Sequence, residues 1–209
     1  GDFLMAMGAG IGTAGGFSRA TGRKVVAFIG DSTFFHSGLS PLASAVYNNH
    51  DFLVVVLDNG TTGMTGHQPH PGVDLAHLNM DRTPVSIESA VKGLGVTQVI
   101  TVNPFKFRKT VEAVRELSRF SGVSVLIAKA GCPLYEKTRP GYRKKHAFQV
   151  NAAKCRSHKD CVGKIACPAF YVSDGRVIID TDRCTGCTLC VQVCSENAIV
   201  PVSRKAVQP

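Results

Sequence analysis

No stretch of this 209-residue chain approaches eighteen consecutive apolar residues. The longest good run is Phe52 to Leu57, which rules against a membrane-spanning helix. The opening residues, GDFLMAMGAG, lack the basic n-region of a secretory signal peptide. They start with Gly rather than Met, which suggests a piece of a longer chain. Tryptophan is absent and charged residues are only 19%, yet 44% hydrophobic content is enough for a globular core. No cysteine precedes Cys132, and seven of the eight cysteines fall between 155 and 194. A secreted disulfide scaffold is usually shorter and has no large α/β portion ahead of its cysteines. Metal binding in a reducing cytoplasm is therefore the better reading of them.

Acidic residues are also scarce, and the formal charge of +9 is unevenly placed. Residues 1–102 hold five Lys/Arg against seven Asp/Glu, residues 103–150 hold eleven against three, and residues 151–209 hold eight against five. A basic middle can signal nucleic acid, but several of these charges lie on the solvated face of an amphipathic helix expected over 105–120. Bound diphosphate or thiolate-ligated clusters would also subtract charge. The chain reads as binding neither nucleic acid nor membrane.

What is present is an alternation of strands and helices. Residues 3–19, rich in Gly, Ala and Met, predict a buried helix. KVVAFI (24–29), FLVVVL (52–57), QVITV (98–102) and VSVLIA (123–128) are short apolar runs of the kind that strands buried on both faces show. Helices are expected over 39–49, from Ser86 to about Gly93, and after Asn103 as cap with Pro104 as first helical residue. This pattern predicts a doubly wound parallel sheet over 1–132. Pro133, Arg139, Pro140, Gly141 and the basic run to Lys145 read as a linker, 133–150. Residues 151–209 read as a small α+β ferredoxin-like domain, with FYVSDGRVIID (170–180) a hairpin turning at Asp174-Gly175.

In parallel sheets ligands sit beyond the carboxyl ends of strands. Gly30-Asp31-Ser32 follows one expected strand, and Asp58-Asn59-Gly60 follows the next. Singly, each is an ordinary turn. Together they offer a carboxylate and an amide oxygen from neighbouring strand ends, with a backbone carbonyl just beyond Asn59 as a third donor. That set suits Mg²⁺ bridging to phosphate oxygens. The diphosphate is then expected over the N-terminus of a helix starting near Gly38. Among the loop histidines, His36 lies closest to this site and is the first candidate for a proton shuttle or substrate contact, ahead of His67 and His70.

Cys184-x2-Cys187-x2-Cys190-x3-Cys194 is the run that wraps [4Fe–4S] clusters, although Ser195 stands where proline usually follows. A zinc site rarely shows this triple spacing. Cys155-x2-His158-x2-Cys161-x5-Cys167-Pro168 is its sister, with a histidine at the second position. Because the fourth cysteine of each run reaches the other cluster, Cys155, His158, Cys161 and Cys194 form one set, and Cys184, Cys187, Cys190 and Cys167 the other. The first site can hold a cluster ligated by His158, a [3Fe–4S] cluster without it, or nothing.

The strings GDSTFFHSGL and VVLDNGTTGMTGHQPHPG carry a more specific likeness. The first pairing resembles the thiamine-diphosphate signature, with Ser32 in place of a glycine and Asp58 in place of an asparagine. The longer strings, and the order of cofactor domain, linker and double-cluster domain, resemble the large subunit of indolepyruvate:ferredoxin oxidoreductases over essentially all 209 residues. Gly63 stands where that family more often has alanine. The resemblance implies that Asp31, Asn59 and the Thr61 carbonyl hold Mg²⁺, and that Gly30, Ser32 and the Thr65-Gly66-His67-Gln68 loop line the diphosphate. It implies oxidative decarboxylation of an aryl 2-oxoacid with coenzyme A, with electrons leaving through one or two [4Fe–4S] clusters to ferredoxin. The glutamate that activates the aminopyrimidine in thiamine enzymes matches none of Glu88, Glu112, Glu116, Glu136 and Glu196. A pyrimidine-binding domain or subunit and a smaller oxidoreductase subunit are therefore expected partners. The alternatives are another 2-oxoacid:ferredoxin oxidoreductase, such as a pyruvate type, or a non-catalytic electron-transfer subunit.

Overall fold

Four apolar runs become the four strands of a parallel sheet. The computed structural model describes residues 4–75, 78–139, 141–142 and 146–202, which divide into two compact units between Pro140 and Gly141. In the first unit α1 (Ala9–Thr21) leads into β1 (Val25–Gly30). A short α2 (Asp31–Thr33) follows at once and passes through a π-helical turn, Phe34–Gly38, into α3 (Leu39–Tyr47). Then come β2 (Phe52–Asp58), α4 (Ile87–Gly93), β3 (Gln98–Val102), α5 (Phe107–Arg119), β4 (Val123–Lys129) and α6 (Pro133–Glu136).

All strand pairs in this sheet are parallel, in the order β1-β2-β4-β3. The order explains the two layers. The steps from β1 to β2 and from β2 to β3 run the same way, so right-handed crossovers put α3 and α4 on one face. The step back from β3 to β4 puts α5 on the other. On the first face Phe52, Val54 and Val56 pack with Ile11, Leu42, Ile87 and Val91. On the second, Leu53 and Val55 pack with Ala113 and Leu117. Central strands β2 and β4 are apolar on both sides for this reason. The second face is left uncovered at β1 and at the end of β2, where Val26, Phe28 and Leu57 stay exposed.

Several boundaries differ from expectation. The first helix runs Ala9–Thr21 rather than 3–19. The helix after β3 starts at Phe107, with Lys106 at its cap position. Asn103 instead accepts the Phe105 amide on its side chain at 2.9 Å and the Lys106 amide on its carbonyl at 2.9 Å, so Pro104 sits in a turn that precedes the helix. The segment 133–150 is not bare linker. Pro133 opens α6 with its φ preset for a helix, and β5 (Phe148–Val150) belongs to the second unit. Pro140 and the basic Arg143, Lys144 and Lys145 of the expected linker lie outside the described residues.

In the second unit β5 pairs antiparallel with β8 (Ile199–Pro201). Strands β6 (Phe170–Ser173) and β7 (Arg176–Ile179) form the expected hairpin. Its turn has φ 50° at Asp174 and 73° at Gly175, the two positive values that a two-residue turn of this twist needs. Two short helices, α7 (Asp160–Ile165) and α8 (Leu189–Val193), complete it. The core is small: Ala169, Ile179, Cys190 and Ile199, with Cys161, Cys167, Cys184 and Cys194 packed against it. The molecule is thus an α/β sheet followed by a small α+β unit, and among the described residues no helix is long and apolar enough to cross a membrane.

Leu53 is fully buried between β2's neighbours and α5. Leu53→Ala is expected to lower the unfolding free energy of the first unit by about 3 kcal/mol, through lost transfer energy and an unfilled cavity. Urea denaturation followed by circular dichroism reads the change.

Candidate functional site

The α/β unit gathers its polar groups where β1 and β2 end. Asp31 is the first residue past β1 and is 2% exposed. Its Oδ1 accepts the Ser32 amide at 2.7 Å, and its Oδ2 accepts the amides of Asn59 at 3.0 Å and Gly60 at 2.8 Å. Gly60 has φ 72°, a left-handed value that turns its N–H back toward the carboxylate and that glycine adopts without strain. The His70 Nε2 stands 3.1 Å from the same Oδ2, with both side chains buried. Burial alone would raise the Asp31 pKa, but His70 and the Ser32 and Gly60 amides outweigh it and hold the carboxyl below the ordinary aspartate range.

Around this carboxylate lie further oxygens. Asn59 Oδ1 accepts the Thr61 amide at 3.0 Å, and the Thr61 carbonyl accepts the Gly63 amide at 3.0 Å. The Thr61 hydroxyl is buried without a hydrogen-bond partner. A buried ionised carboxylate, an amide oxygen, a carbonyl and an unsatisfied hydroxyl make an oxygen-only donor set, which fits a hard divalent cation. Asp58, the last residue of β2, is raised by burial and by the nearby Asp31 charge, against the pull of Lys129, whose Nζ lies 3.5 Å away.

The helix start is not where the sequence places it. The chain turns helical at Asp31, immediately after β1, and residues Phe34–Gly38 widen into the π-helical turn. The start of the helix therefore lies at Asp31-Ser32-Thr33 rather than near Gly38, and the Ser32 amide there already meets the Asp31 carboxylate. His36 sits exposed within the π-helical turn, while His70 is the histidine that meets Asp31. The Thr65–Gln68 loop closes on itself. The Thr65 hydroxyl donates to Gln68 Oε1 and Gln68 Nε2 donates to the Thr65 carbonyl, both at 2.6 Å. The Thr62 amide bonds the Gln68 carbonyl at 2.9 Å, and His67 stacks on Tyr135 of α6 with ring centres 5.2 Å apart. The Cys132 amide donates to the Asn59 carbonyl at 3.0 Å and ties the start of α6 to the same loop. Lys129 and Tyr135 gave no sequence signal: each meets the site across tens of residues and sits in no motif, while His70 ranks behind His36 by sequence although it is the histidine that reaches Asp31.

In the α+β unit the two cysteine runs share one backbone. The residue two past the first cysteine has positive φ in both, Ser157 at 55° and Gly186 at 69°. So does the residue four past it, Lys159 at 60° and Thr188 at 65°, each capping a short helix whose second residue is Cys161 or Cys190. Cys155, His158, Cys161 and Cys194 line one cavity. Burial first, then the charges of Cys194 and Cys155, push the Cys161 thiol up. Burial first, then Cys187, Cys184 and Cys167, push Cys190 up to about 11. The thiols thus fall into two sets, each joined by a cysteine from the other run. All eight cysteines of the chain are free. Among the described residues no three His, Cys, Asp or Glu side chains converge as ligands of a single metal ion. A multi-iron cluster takes its thiolates one per iron and so fits a wider set. His158 is half-exposed, its Nδ1 3.8 Å from Glu196 Oε1.

Comparison with known proteins agrees with this division. Residues 2–128 match the thiamine pyrophosphate enzyme C-terminal TPP binding domain, and residues 177–200 match the 4Fe-4S binding domain. The chain is 43% identical over 204 residues to the indolepyruvate oxidoreductase subunit IorA of Methanothermobacter marburgensis, covering 98% of this chain and 32% of that one. It is 41% identical to IorA of Archaeoglobus fulgidus, covering 96% and 32%. The chain therefore spans about a third of the length of these relatives. Among solved structures, a 2-oxoglutarate:ferredoxin oxidoreductase from Magnetococcus marinus superposes with a TM-score of 0.54 at 20% identity, over 60% of this chain and 46% of that one, a likeness of fold.

The protonated state of Cys190 is testable in cluster-free protein. At pH 8 iodoacetamide is expected to alkylate Cys190 roughly tenfold or more slowly than Cys187, because the thiolate is the nucleophile. Peptide mass spectrometry over a time course reads this, and equal rates would contradict it.

Proposed function

The chain belongs to the thiamine pyrophosphate enzymes through their C-terminal TPP binding domain, and on that premise we propose that it is the diphosphate-binding and electron-exporting part of a 2-oxoacid:ferredoxin oxidoreductase. The observation that carries this reading is Asp31, a buried carboxylate shared between two strand ends in a chain that also bears two cysteine runs of matching backbone. A decarboxylase alone would not need the second part, and an electron carrier alone would not need the first.

In this reading Asp31, the Asn59 side chain and the Thr61 carbonyl hold Mg²⁺, and Gly30, Ser32 and the Thr65–Gln68 loop line the diphosphate. Bound thiamine diphosphate supplies the electron sink for decarboxylation of a 2-oxoacid, and clusters supply one-electron steps. The chain's residues anchor the cofactor by its anionic end, which leaves the reactive ring to be enclosed by other parts of the assembly. His36, exposed on the turn just past Asp31, serves as proton shuttle or substrate contact. Cys167, Cys184, Cys187 and Cys190 hold one [4Fe–4S] cluster. Cys155, Cys161 and Cys194, with His158, hold a second.

The likeness to IorA, an indolepyruvate oxidoreductase subunit, supports an aryl 2-oxoacid as substrate; in this reading coenzyme A is the acyl acceptor and ferredoxin the electron acceptor. The missing pyrimidine-activating glutamate comes from a pyrimidine-binding domain or subunit, and a smaller oxidoreductase subunit completes the assembly. The uncovered strip of Val26, Phe28 and Leu57 is one surface such a partner would cover. Free thiols throughout suit the cytoplasm.

Two measurements on the complete protein, purified without oxygen and assembled with its partner chains, test this. Calorimetric titration with thiamine diphosphate and Mg²⁺ is expected to saturate, and Asp31→Asn to weaken it at least tenfold, since the substitution removes a ligand charge. Iron and sulfide analysis with electron paramagnetic resonance is expected to find roughly eight irons per chain, two clusters' worth. Absence of saturable cofactor binding sinks the enzyme reading in favour of a carrier. About four irons leaves the first site empty.

A further inference from the structure

Three separate contacts hold the buried His70 ring with its Nε2 beside one oxygen of Asp31. The ring is buried, 4% exposed, with Nε2 3.1 Å from Asp31 Oδ2. The Gly72 amide donates to Nδ1 at 3.2 Å, which leaves the ring proton on Nε2. Phe35 packs on the ring, centroids 5.7 Å apart and planes tilted 31°. Gly72 closes the space between them: a Cβ there would stand 2.7 Å from Phe35 Cε2 and 3.2 Å from His70 Cε1. Nε2 itself makes no aligned hydrogen bond, so it meets Oδ2 as a close polar contact whose position is set by the packing of the ring.

The donors on Asp31 are unequally shared. Oδ2 faces the Asn59 and Gly60 amides and His70, whereas Oδ1 accepts only the Ser32 amide. Oδ1 is the oxygen with a lone pair to spare. A lysine or arginine in place of His70 would neutralise the charge that a cation needs, and an imidazole N–H does not.

We propose that His70 is a positioning residue that holds the Asp31 carboxylate with Oδ2 turned inward and Oδ1 presented to the divalent cation of a bound diphosphate. This rests on the reading that Asp31 binds that cation. Partners standing behind a metal-binding group in this way are typically worth about 10–100-fold in metal affinity.

The test is calorimetric titration of Mg²⁺ into the complete assembled protein at saturating thiamine diphosphate, with thermal midpoints of the cofactor-free variants as the check on folding. His70→Phe keeps a ring beside Phe35 and removes the N–H. It is expected to raise the Mg²⁺ Kd about 10–100-fold. His70→Gln restores a donor and is expected to recover part of that loss. Gly72→Ala leaves His70 in place but displaces its ring, and is expected to weaken Mg²⁺ in the same direction, which keeps the test decisive if His70→Phe does not fold. A folded His70→Phe with wild-type Mg²⁺ affinity, or a His70→Gln no better than His70→Phe, overturns the role of the N–H. If Asp31→Asn also leaves Mg²⁺ affinity unchanged, the metal-site reading itself fails; if Asp31→Asn abolishes it while His70→Phe does not, only the role of His70 fails.

Discussion

A single buried carboxylate organises the α/β unit's functional end. An ionised aspartate taken out of water costs several kcal/mol unless its charge is met by donors. Asp31 is met from three directions: its own helix start, the turn after β2, and the His70 ring. Because two of those donors are backbone amides of Asn59 and Gly60, the carboxylate fixes the end of β1 against the end of β2. The Asn59 side chain then takes the Thr61 amide, and the Asn59 carbonyl takes the Cys132 amide. One charge thus determines where three loops begin. The neighbouring Asp58 shows the cost of having fewer donors. It is buried close to Asp31 with an exposed lysine as its main counter-charge, and its pKa moves up rather than down.

The same constraint explains the helix that follows. With no loop between Gly30 and Asp31, the helix starts at the strand end, and its Ser32 amide is taken by the Asp31 carboxylate. The π-helical turn at Phe34–Gly38 joins that early start to α3, which packs its Leu42 and Ala45 into the core with β2. Such widened turns occur often at functional sites, because they shift side chains off the regular helical positions. Here the turn carries Phe35, which clamps His70, and His36, which is exposed beside it.

The strands were legible in the sequence because burial on both faces removes polar residues from them. QVITV became β3 without change, and FLVVVL and VSVLIA each gained one residue. The hairpin was legible because Asp-Gly suits the two positive φ values its turn requires. Asp31 and Asn59 were legible as strand-end polar residues at the right spacing. What stayed hidden are contacts between segments that have no periodicity of their own. His70 lies in a Gly-, Pro- and His-rich loop, and nothing local says that its ring turns back to Asp31. Residues 133–136 look like linker until the Cys132 amide finds Asn59 and Tyr135 finds His67. The Asn103 cap failed for a related reason: its side chain and carbonyl bond within a turn before the helix, a local alternative that Asn residues readily take.

The first cysteine run is the place where sequence and backbone pull apart. By sequence it is degenerate, with His158 for a cysteine and a longer gap before Cys167. By backbone it keeps the left-handed residues at the same two positions as the intact run. In the first run those residues are Ser157 and Lys159, neither a glycine, and in the second Thr188 is β-branched. Each such residue costs of order 1 kcal/mol and persists only where its surroundings impose it. That conformation sets Cys155, His158, Cys161 and Cys194 around one cavity, the arrangement the proposed first cluster would use. An imidazole in place of a thiolate would leave that cluster less negative and raise its potential, as histidine does in Rieske centres. The two sites would then differ in potential because of one ligand, on otherwise matching loops.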